Sequence, residues 1–545
     1  MEKRRIRFFN TTGPCRPEMH YMLPPAERLR GAQLHRYIRD ELFWVLHAPR
    51  QTGKTTFLQS WMREINAAEG NPAYAGADGT GAVACYVTVE GCQGVTRPEE
   101  AMPAICNAVR QFAGWAGLAV PEVRIDDPHH MVSNILGNWA ALLNPKPLIV
   151  LFDEVDVLEG EALISFLRQL RGGFSERGAG KFPVSIALVG MRDLKDYITA
   201  AKGGIPVNPG SPFNIKADSA VLSNFQKEDI GRLFAQRTAE TGQEIAGEAL
   251  EYVFEQSRGQ PWIVNSLLMR ATMRVLDEDS TETVTIEHIL KAREQMILAR
   301  ETHLDALAWR LEDPAIRSVT ESLLTGEPDL RLAQSEAFRL CLDLGLVTVE
   351  NGTPQVANPI YRETLARQMT YGVQLAIPQP EWKWEREDGT LDMDTLLREF
   401  QAFWRTNSEA WEEQVDYSEA FPHLLLQAFL QRVTNGQGRI EREYAAGRGR
   451  MDLAVEYHGA WDIIEIKLLR PGKSLEALIA EGKKQILRYR DSFSPSPLRS
   501  GSGKPAACYL VIFDRRSRPS PGQETPGWEE RLFWIDGGDV TVLGC

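Results

Sequence analysis

The sequence contains no Cys-x-x-Cys pair. Its seven cysteines, at 15, 85, 92, 106, 341, 508 and 545, are scattered along 545 residues. This spacing argues against both a structural zinc site and a disulfide framework. Long apolar runs are missing as well. The most apolar short stretch, PLIVLF at 147 to 152, has the length of a strand, whereas a membrane helix needs about 20 such residues. The amino-terminal MEKRRIRFFNTTGPC carries charges but no apolar core of signal-peptide length. A cytoplasmic location with no membrane partner is therefore expected. Positive charge is in deficit: 61 Lys and Arg against 74 Asp and Glu leave a net charge of −13, which works against nonspecific attraction of nucleic acid by the whole molecule. There is no internal repeat.

What is present is an ordinary globular composition, 43% apolar, long enough for three or four domains. LFWVLH (42 to 47) reads as a buried strand, followed by a Gly-Lys turn and then by TFLQSWMREINAAEG with apolar positions at helical spacing. Further apolar strands follow at 84 to 91, 147 to 156 and 183 to 193, separated by helical patterns. Strands alternating with helices imply an α/β fold whose parallel sheet is covered on both faces. Residues 1–224 are read as this core, 225–304 as a helical lid, and 305–371 as short helices ending in a wing-like hairpin around Asn351-Gly352. Residues 372–394 lose periodicity and are read as a linker, and 395–545 form a last α/β unit.

Two chemistries stand out. Ala48, Pro49, Arg50, Gln51, Thr52, Gly53, Lys54, Thr55 and Thr56 match a phosphate-binding loop, except that Ala48 occupies the place of its first glycine. Such a loop turns backbone N–H groups onto phosphate oxygens at a helix N-terminus. Lys54 would reach the outer phosphates and Thr55 would ligate magnesium. About 100 residues later an apolar strand ends in Asp153-Glu154, the pairing needed for a magnesium-holding Asp and a water-activating Glu. Arg192, after the next strand, is either a γ-phosphate sensor or an exposed strand end.

The second chemistry lies near the carboxyl end. In WDIIEIKLL, Glu465 and Lys467 stand at i and i+2 on one strand face. Asp452 arrives from RMDLAVEY through the short turn at His458 to Ala460. Two carboxylates and a lysine suit metal-assisted phosphodiester hydrolysis, with Asp452 and Glu465 as ligands for magnesium or manganese. From Lys467 to Arg490 seven Lys or Arg face two Glu, a local basic excess directly after this site. Arg448 and Arg450 either contact a phosphate backbone or pair with Glu441 and Glu443.

The amino-terminal 5 to 370 resembles the AAA-like ATPases of the STAND group (signal-transduction ATPases with numerous domains), in particular archaeal-type ATPase domains found in bacteria. The segments that carry the likeness include FFNTTGPCRPEMHYMLPPAERL, APRQTGKTT, LFDEVD, VGMRDL and GQPWIVN. The resemblance implies ATP and Mg2+ as cofactors, nucleotide contact by Gly259 and Pro261 of the lid, a winged-helix domain after it, and an aromatic or His near the adenine, His20 or Tyr21, for which packing is the alternative. Residues 415 to 515 resemble the PD-(D/E)XK nuclease superfamily and its restriction-endonuclease-like fold. Asp452, Glu465 and Lys467 match its core signature, Gln485 and Tyr489 its Q-xxx-Y accessory motif, and Glu419 is placed to bring a further carboxylate. Together these imply an ATP-binding, Mg-dependent nuclease gated by its ATPase module, with a setting in prokaryotic defence or mobile-element control. Nucleic acid, DNA rather than RNA, is the expected partner, alongside a protein trigger and a homo-oligomer. The alternative is an ATP-driven scaffold whose nuclease-like domain binds without cutting.

Overall fold

A computed structural model of the chain describes residues 6–29, 33–67, 80–122, 127–177, 180–191, 216–299, 302–324, 334–376, 384–414, 421–434, 438–446, 449–458, 460–470, 472–492, 507–514 and 532–545. They group into two compact units, Met1–Val284 with Leu340–Leu346, and Thr285–Arg339 with Val347–Cys545. The division falls inside the segment read as a lid.

The first unit is built on five strands: β1 (Phe43–His47), β2 (Val83–Thr88), β3 (Leu148–Asp153), β4 (Ser185–Gly190) and β5 (Lys216–Val221). They lie in the order β2-β3-β4-β1-β5 and every pairing is parallel. β3 and β4 are buried at every position, which is why they read as continuous apolar runs. Side chains alternate between two cores. Phe43, Val45, Val150 and Phe152 face one together with the helices Pro98–Trp115, Met131–Leu143 and Gly160–Phe174. Trp44, Leu46, Ile149 and Leu151 face the other, where the helix Lys54–Ala67 contributes Phe57, Leu58 and Trp61. Each such fully buried side chain contributes roughly 1.5–3 kcal/mol. The two cores fix the ends of β1, β3 and β4, where the candidate nucleotide residues stand.

Three helices follow β5: Lys227–Thr241, Gly247–Ser257 and Pro261–Arg270. Gln226 and Asp229 cap the first reciprocally. The Gln260 side chain accepts from Ile263 N–H at 2.7 Å to start the last, with Pro261 at a position that needs no donor. An amino-terminal strap, in which Tyr21 N–H donates to Phe8 O at 3.0 Å, is tied to this bundle by Trp262 Nε1 donating to Thr11 O at 3.0 Å.

The second unit begins with helices and the hairpin β6 (Val347–Glu350) and β7 (Thr353–Val356). Asn351 and Gly352 both take positive φ, 50° and 79°, the turn expected of Asn-Gly. The helix Pro359–Ala376 follows and reaches into the segment read as a linker. At the far end of that segment Leu391 and Met393 are buried in a core. A mixed sheet of β8 (Gly438–Ala446), β9 (Gly449–Tyr457), β10 (Ala460–Leu469), β11 (Ala507–Asp514), β12 (Trp534–Ile535) and β13 (Thr541–Gly544) has the order β12-β13-β11-β10-β9-β8. One face holds Ile464 and Ile466 against helices Met393–Gln414 and Phe421–Thr434. The other holds Trp461 and Ile463 against the helix Leu475–Ser492. At Gly482 that helix lies so close to β11 that a Cβ would stand 2.6 Å from Leu510 Cδ1. The close approach brings the next turn of the helix, with Gln485, down onto β10.

Within this unit a polar joint ties two helices together. Glu363, 5% exposed, accepts from Arg367 Nε at 2.6 Å and from Gln427 Nε2 at 2.9 Å. Gln431 Nε2 makes a further short bond to it. Arg367 also pairs with Glu294 at 3.0 Å. Pro359–Ala376 is thereby bonded to Phe421–Thr434 through a buried amide and a half-buried one.

Candidate nucleotide and metal-binding sites

The phosphate loop leaves β1 at Ala48, whose N–H donates to Gly190 O at the end of β4. Gln51 and Gly53 take positive φ, 57° and 92°, and the helix begins at Lys54. Thr52 Oγ1 donates to Pro49 O at 2.8 Å, which closes the loop on itself. Lys54 Nζ donates to Ala48 O at 2.7 Å and to Pro49 O at 2.9 Å, so its ammonium is folded over the loop, and burial pushes its pKa down. Arg50 and Gln51 are exposed. Thr56 Oγ1 accepts from Cys15 N–H at 3.0 Å, an engagement with the amino-terminal strap.

Thr55 Oγ1 donates to Asp153 Oδ2 at 2.6 Å. The two side chains expected to share a magnesium ion are thus brought together from β3 and the start of the helix. Asp153 also accepts from Tyr86 OH at 3.2 Å and from Glu154 N–H at 3.0 Å. Burial raises the Asp153 pKa. Glu154 has left-handed backbone, φ 58° and ψ 36°, a conformation that costs about 1–3 kcal/mol and concentrates at functional sites. Burial, then Glu90, Asp153 and Asp156, push its carboxyl up to about 7. A carboxylate with this value can take a proton at neutral pH.

The other expected contacts fare differently. Gly259, with φ +73°, packs on backbone: its carbonyl accepts from Phe225 N–H at 2.9 Å, and a Cβ would stand 1.9 Å from Phe225 O. Pro261 starts its helix. Both stand among the helices that follow β5, and the neighbouring Trp262 reaches the strap. His20 is packed edge-on to Phe8 and Tyr21 against Phe9. Arg192, Glu419 and Arg448 lie outside the described residues. Tyr86 and the strap contact at Cys15 were not anticipated. Tyr86 was the more legible, the one aromatic in ACYVTV.

At the second site the β9–β10 ladder runs from Tyr457↔Ala460 to Leu453↔Ile464, and next to it Asp452 Oδ2 accepts the Ile466 N–H at 2.7 Å. Asp452 and Glu465 meet there. Lys467 Nζ donates to Glu465 Oε1 at 2.9 Å and to Gln485 Oε1 at 2.8 Å, and Gln485 Nε2 donates to Tyr489 OH at 2.7 Å. The line Tyr489, Gln485, Lys467, Glu465 fixes the amide orientation and the ammonium position. Glu465 is 1% exposed, and its Oε2 is buried without a partner. Burial, then the Asp452 charge, raise the Glu465 pKa. For Lys467, burial acts downward, but Glu465 and Asp452 outweigh it and the pKa rises.

An unpartnered buried carboxylate oxygen beside a second carboxylate fits a hard divalent cation. The cation would satisfy Oε2 and offset the repulsion between the two groups. Magnesium is commonly held by one or two carboxylates, with water and phosphate oxygens completing its shell. Among the described residues no cluster of three or more His, Cys, Asp and Glu is gathered. None of the described helices is long and apolar enough to cross a membrane.

No protein-family model matches the chain, and no curated protein matches it. Several solved structures are similar. A Walker-type ATPase of Pyrococcus abyssi is 14% identical, with 66% of this chain and 99% of that one covered and a TM-score of 0.46. The Aeropyrum pernix Orc1 protein, solved in complex with DNA, is 16% identical over 65% and 94%, with a TM-score of 0.35. The Thermotoga maritima RuvB Holliday junction branch migration motor is 14% identical over 65% and 93%, with a TM-score of 0.30. At these scores the likenesses carry no functional argument, and function has to be argued from the residues.

Proposed function

We propose that this chain is an ATP-binding, magnesium-dependent nuclease in which an AAA-like, STAND-type ATPase module gates phosphodiester cleavage by a PD-(D/E)XK-like carboxy-terminal domain. The observation that carries the reading is the Asp452, Glu465, Lys467 and Gln485 constellation with its unpartnered Glu465 Oε2. A structural ion pair would have no reason to leave that oxygen buried and bare.

Asp452 and Glu465 would hold the cation, which when bound polarises the scissile phosphate and lowers the pKa of a coordinated water. Lys467 keeps its ammonium where negative charge develops on the phosphate. Gln485, oriented by Tyr489, holds Lys467 in place between substrate encounters. At the first site Lys54 exchanges its two carbonyl partners for phosphate oxygens, Thr55 and Asp153 are the magnesium pair, and Glu154 takes a proton from the attacking water. Nucleotide state shifts the helices that follow the phosphate-loop core, and the Glu363 joint passes such a shift to the nuclease helix Phe421–Thr434. Basic residues on Leu475–Ser492 suit a duplex backbone, which favours DNA. A protein trigger, a homo-oligomer and a role in prokaryotic defence or mobile-element control belong to the same reading.

The test incubates purified protein with supercoiled, linear and single-stranded DNA and with RNA, with magnesium or manganese, with and without ATP, beside Lys54→Ala and Glu465→Ala. Glu465→Ala is expected to abolish cleavage and Lys54→Ala to abolish its ATP dependence. ATP hydrolysis with no substrate cut under any condition would favour the scaffold instead.

A further inference from the structure

Arg28 ends the short turn Pro25–Arg28 in the amino-terminal strap. It is 8% exposed. Its Nε donates to Ser223 O at 2.8 Å and its guanidinium carbon stands 4.8 Å from the centre of the Phe225 ring. Its Nη2 is buried and has no partner. No carboxylate of the described residues forms an ion pair with it. Asp229, whose charge reaches it, directs its own oxygens to Gln226 N–H at 2.9 Å and Arg232 Nη1 at 3.3 Å.

A guanidinium cannot shed its proton in a protein, so a buried one stays charged. Burial pushes the Arg28 pKa down only to about 10, against the opposing influence of Asp229 and Cys15. Buried cations are held by anions, and a cation that lacks one is destabilising. The single bond to Ser223 O uses Nε alone, so bracing the backbone makes no use of the fork that is left bare. The location identifies the missing anion. Arg28 Nη1 lies 3.3 Å from where a Cβ on Gly53 would stand, so the fork rests on the phosphate loop at the residue before Lys54. Cys15 of the same strap holds Thr56 Oγ1 on the next turn.

We propose that Arg28 is a phosphate-binding residue of the nucleotide site, approaching a phosphate of a bound nucleoside di- or triphosphate from the strap while Lys54 approaches from the loop. The assignment rests on the reading of Ala48 to Thr56 as a nucleotide site. Arg is suited to the task because its planar fork meets two phosphate oxygens at once. The strap, which already meets the loop at Arg28 and the following helix at Cys15, then becomes part of the binding site.

The test uses the full chain with Arg28→Met, Arg28→Lys and Lys54→Ala. Calorimetry measures binding of ATP, ADP, magnesium pyrophosphate and adenosine, and thermal unfolding is measured without ligand. Arg28→Met is expected to weaken ATP, ADP and pyrophosphate binding by about tenfold or more and to leave adenosine unchanged. Its ligand-free unfolding temperature should be no lower than that of the parent, because an unpaired buried charge has been removed. Arg28→Lys should recover much of the pyrophosphate affinity. Pyrophosphate binding by Arg28→Met within twofold of the parent would overturn the assignment. So would a fall in unfolding temperature with adenosine and pyrophosphate lost together, the pattern of a structural brace. If the parent itself binds neither ATP nor pyrophosphate, the nucleotide reading fails and this assignment with it. Loss of binding in Lys54→Ala but not in Arg28→Met removes the assignment alone.

Discussion

Replacing Lys467 with methionine separates what its ammonium does for the fold from what it would do in the proposed cleavage. Lys467 Nζ is the donor to Glu465 Oε1 at 2.9 Å, while Glu465 is 1% exposed and Oε2 is bare. At a pH above the raised pKa of Glu465, about 8, deleting the ammonium leaves a buried carboxylate facing Asp452, and breaking a buried pair in this way costs about 3–5 kcal/mol. Glu465→Gln deletes the opposite partner at lower cost, about 1 kcal/mol. Lys467 has a 20% exposed side chain and keeps Gln485 Oε1 at 2.8 Å. In the double variant no buried charge is unpaired, so the two costs should fail to add by about 2–3 kcal/mol. Amide hydrogen exchange of peptides spanning β9 and β10 in the metal-free chain reads the local opening free energy without assuming that a chain of two units unfolds in one step. All three variants should be inactive, including the double variant, which regains part of the stability lost in Lys467→Met. Equal costs for the single variants, or additivity within about 0.5 kcal/mol, would refute the buried pair.

Lys54→Ala removes an ammonium whose observed partners are the carbonyls of Ala48 and Pro49. The ligand-free unfolding temperature should barely move, while the stabilisation by Mg-ATP, about 2.7 kcal/mol at a hundredfold excess over Kd, should vanish in a thermal-shift assay. Gly259→Ala places a Cβ 1.9 Å from Phe225 O at φ +73°. It should destabilise the first unit by upward of about 2 kcal/mol, which a denaturant midpoint will show. Burial, opposed by Arg386 and the Ala507 N–H and reinforced by Asp394, pushes Asp462 up from 3.8 to about 7. A carboxyl raised in the folded state favours folding when protonated. Stability is therefore lost as pH rises from about 4 to 7, by up to about 4 kcal/mol. Asp462→Asn should flatten that slope and raise stability at pH 8, and parallel melting curves across pH would contradict it.

The residues legible in the sequence were those whose chemistry is local. Ala48 to Thr56 are consecutive, so strand, loop and helix could be read in one pass. Glu465 and Lys467 share a strand face by spacing alone, and a short turn was enough to bring Asp452 beside them. Asn351-Gly352 specified its hairpin through φ. What could not be read depends on residues far apart. Arg28 meets Ser223 across 195 positions, and nothing around either residue announces the meeting. β5 lacks the apolar run of its neighbours because it stands at the sheet edge, as KADSAV shows. Gly259 was legible as important, but its partner Phe225 was not. Leu391 and Met393 are too sparse among charges to mark a core strand or helix, yet both are buried.

The joint at Glu363 bears on how such a chain can diversify. An apolar seam between two helices accepts many partners, because any surface of suitable volume will bury it. A buried carboxylate that needs two amides and an arginine does not. A different carboxy-terminal domain grafted behind residue 394 would bring no Gln427 or Gln431, and Glu363 would be left with Arg367 alone. The helices Pro359–Ala376 and Phe421–Thr434 are thus matched to one another by specific side chains. Exchange of one without the other is opposed by the same few atoms that hold them together, so the lineage of this chain should show substitutions at 363, 427 and 431 arising together.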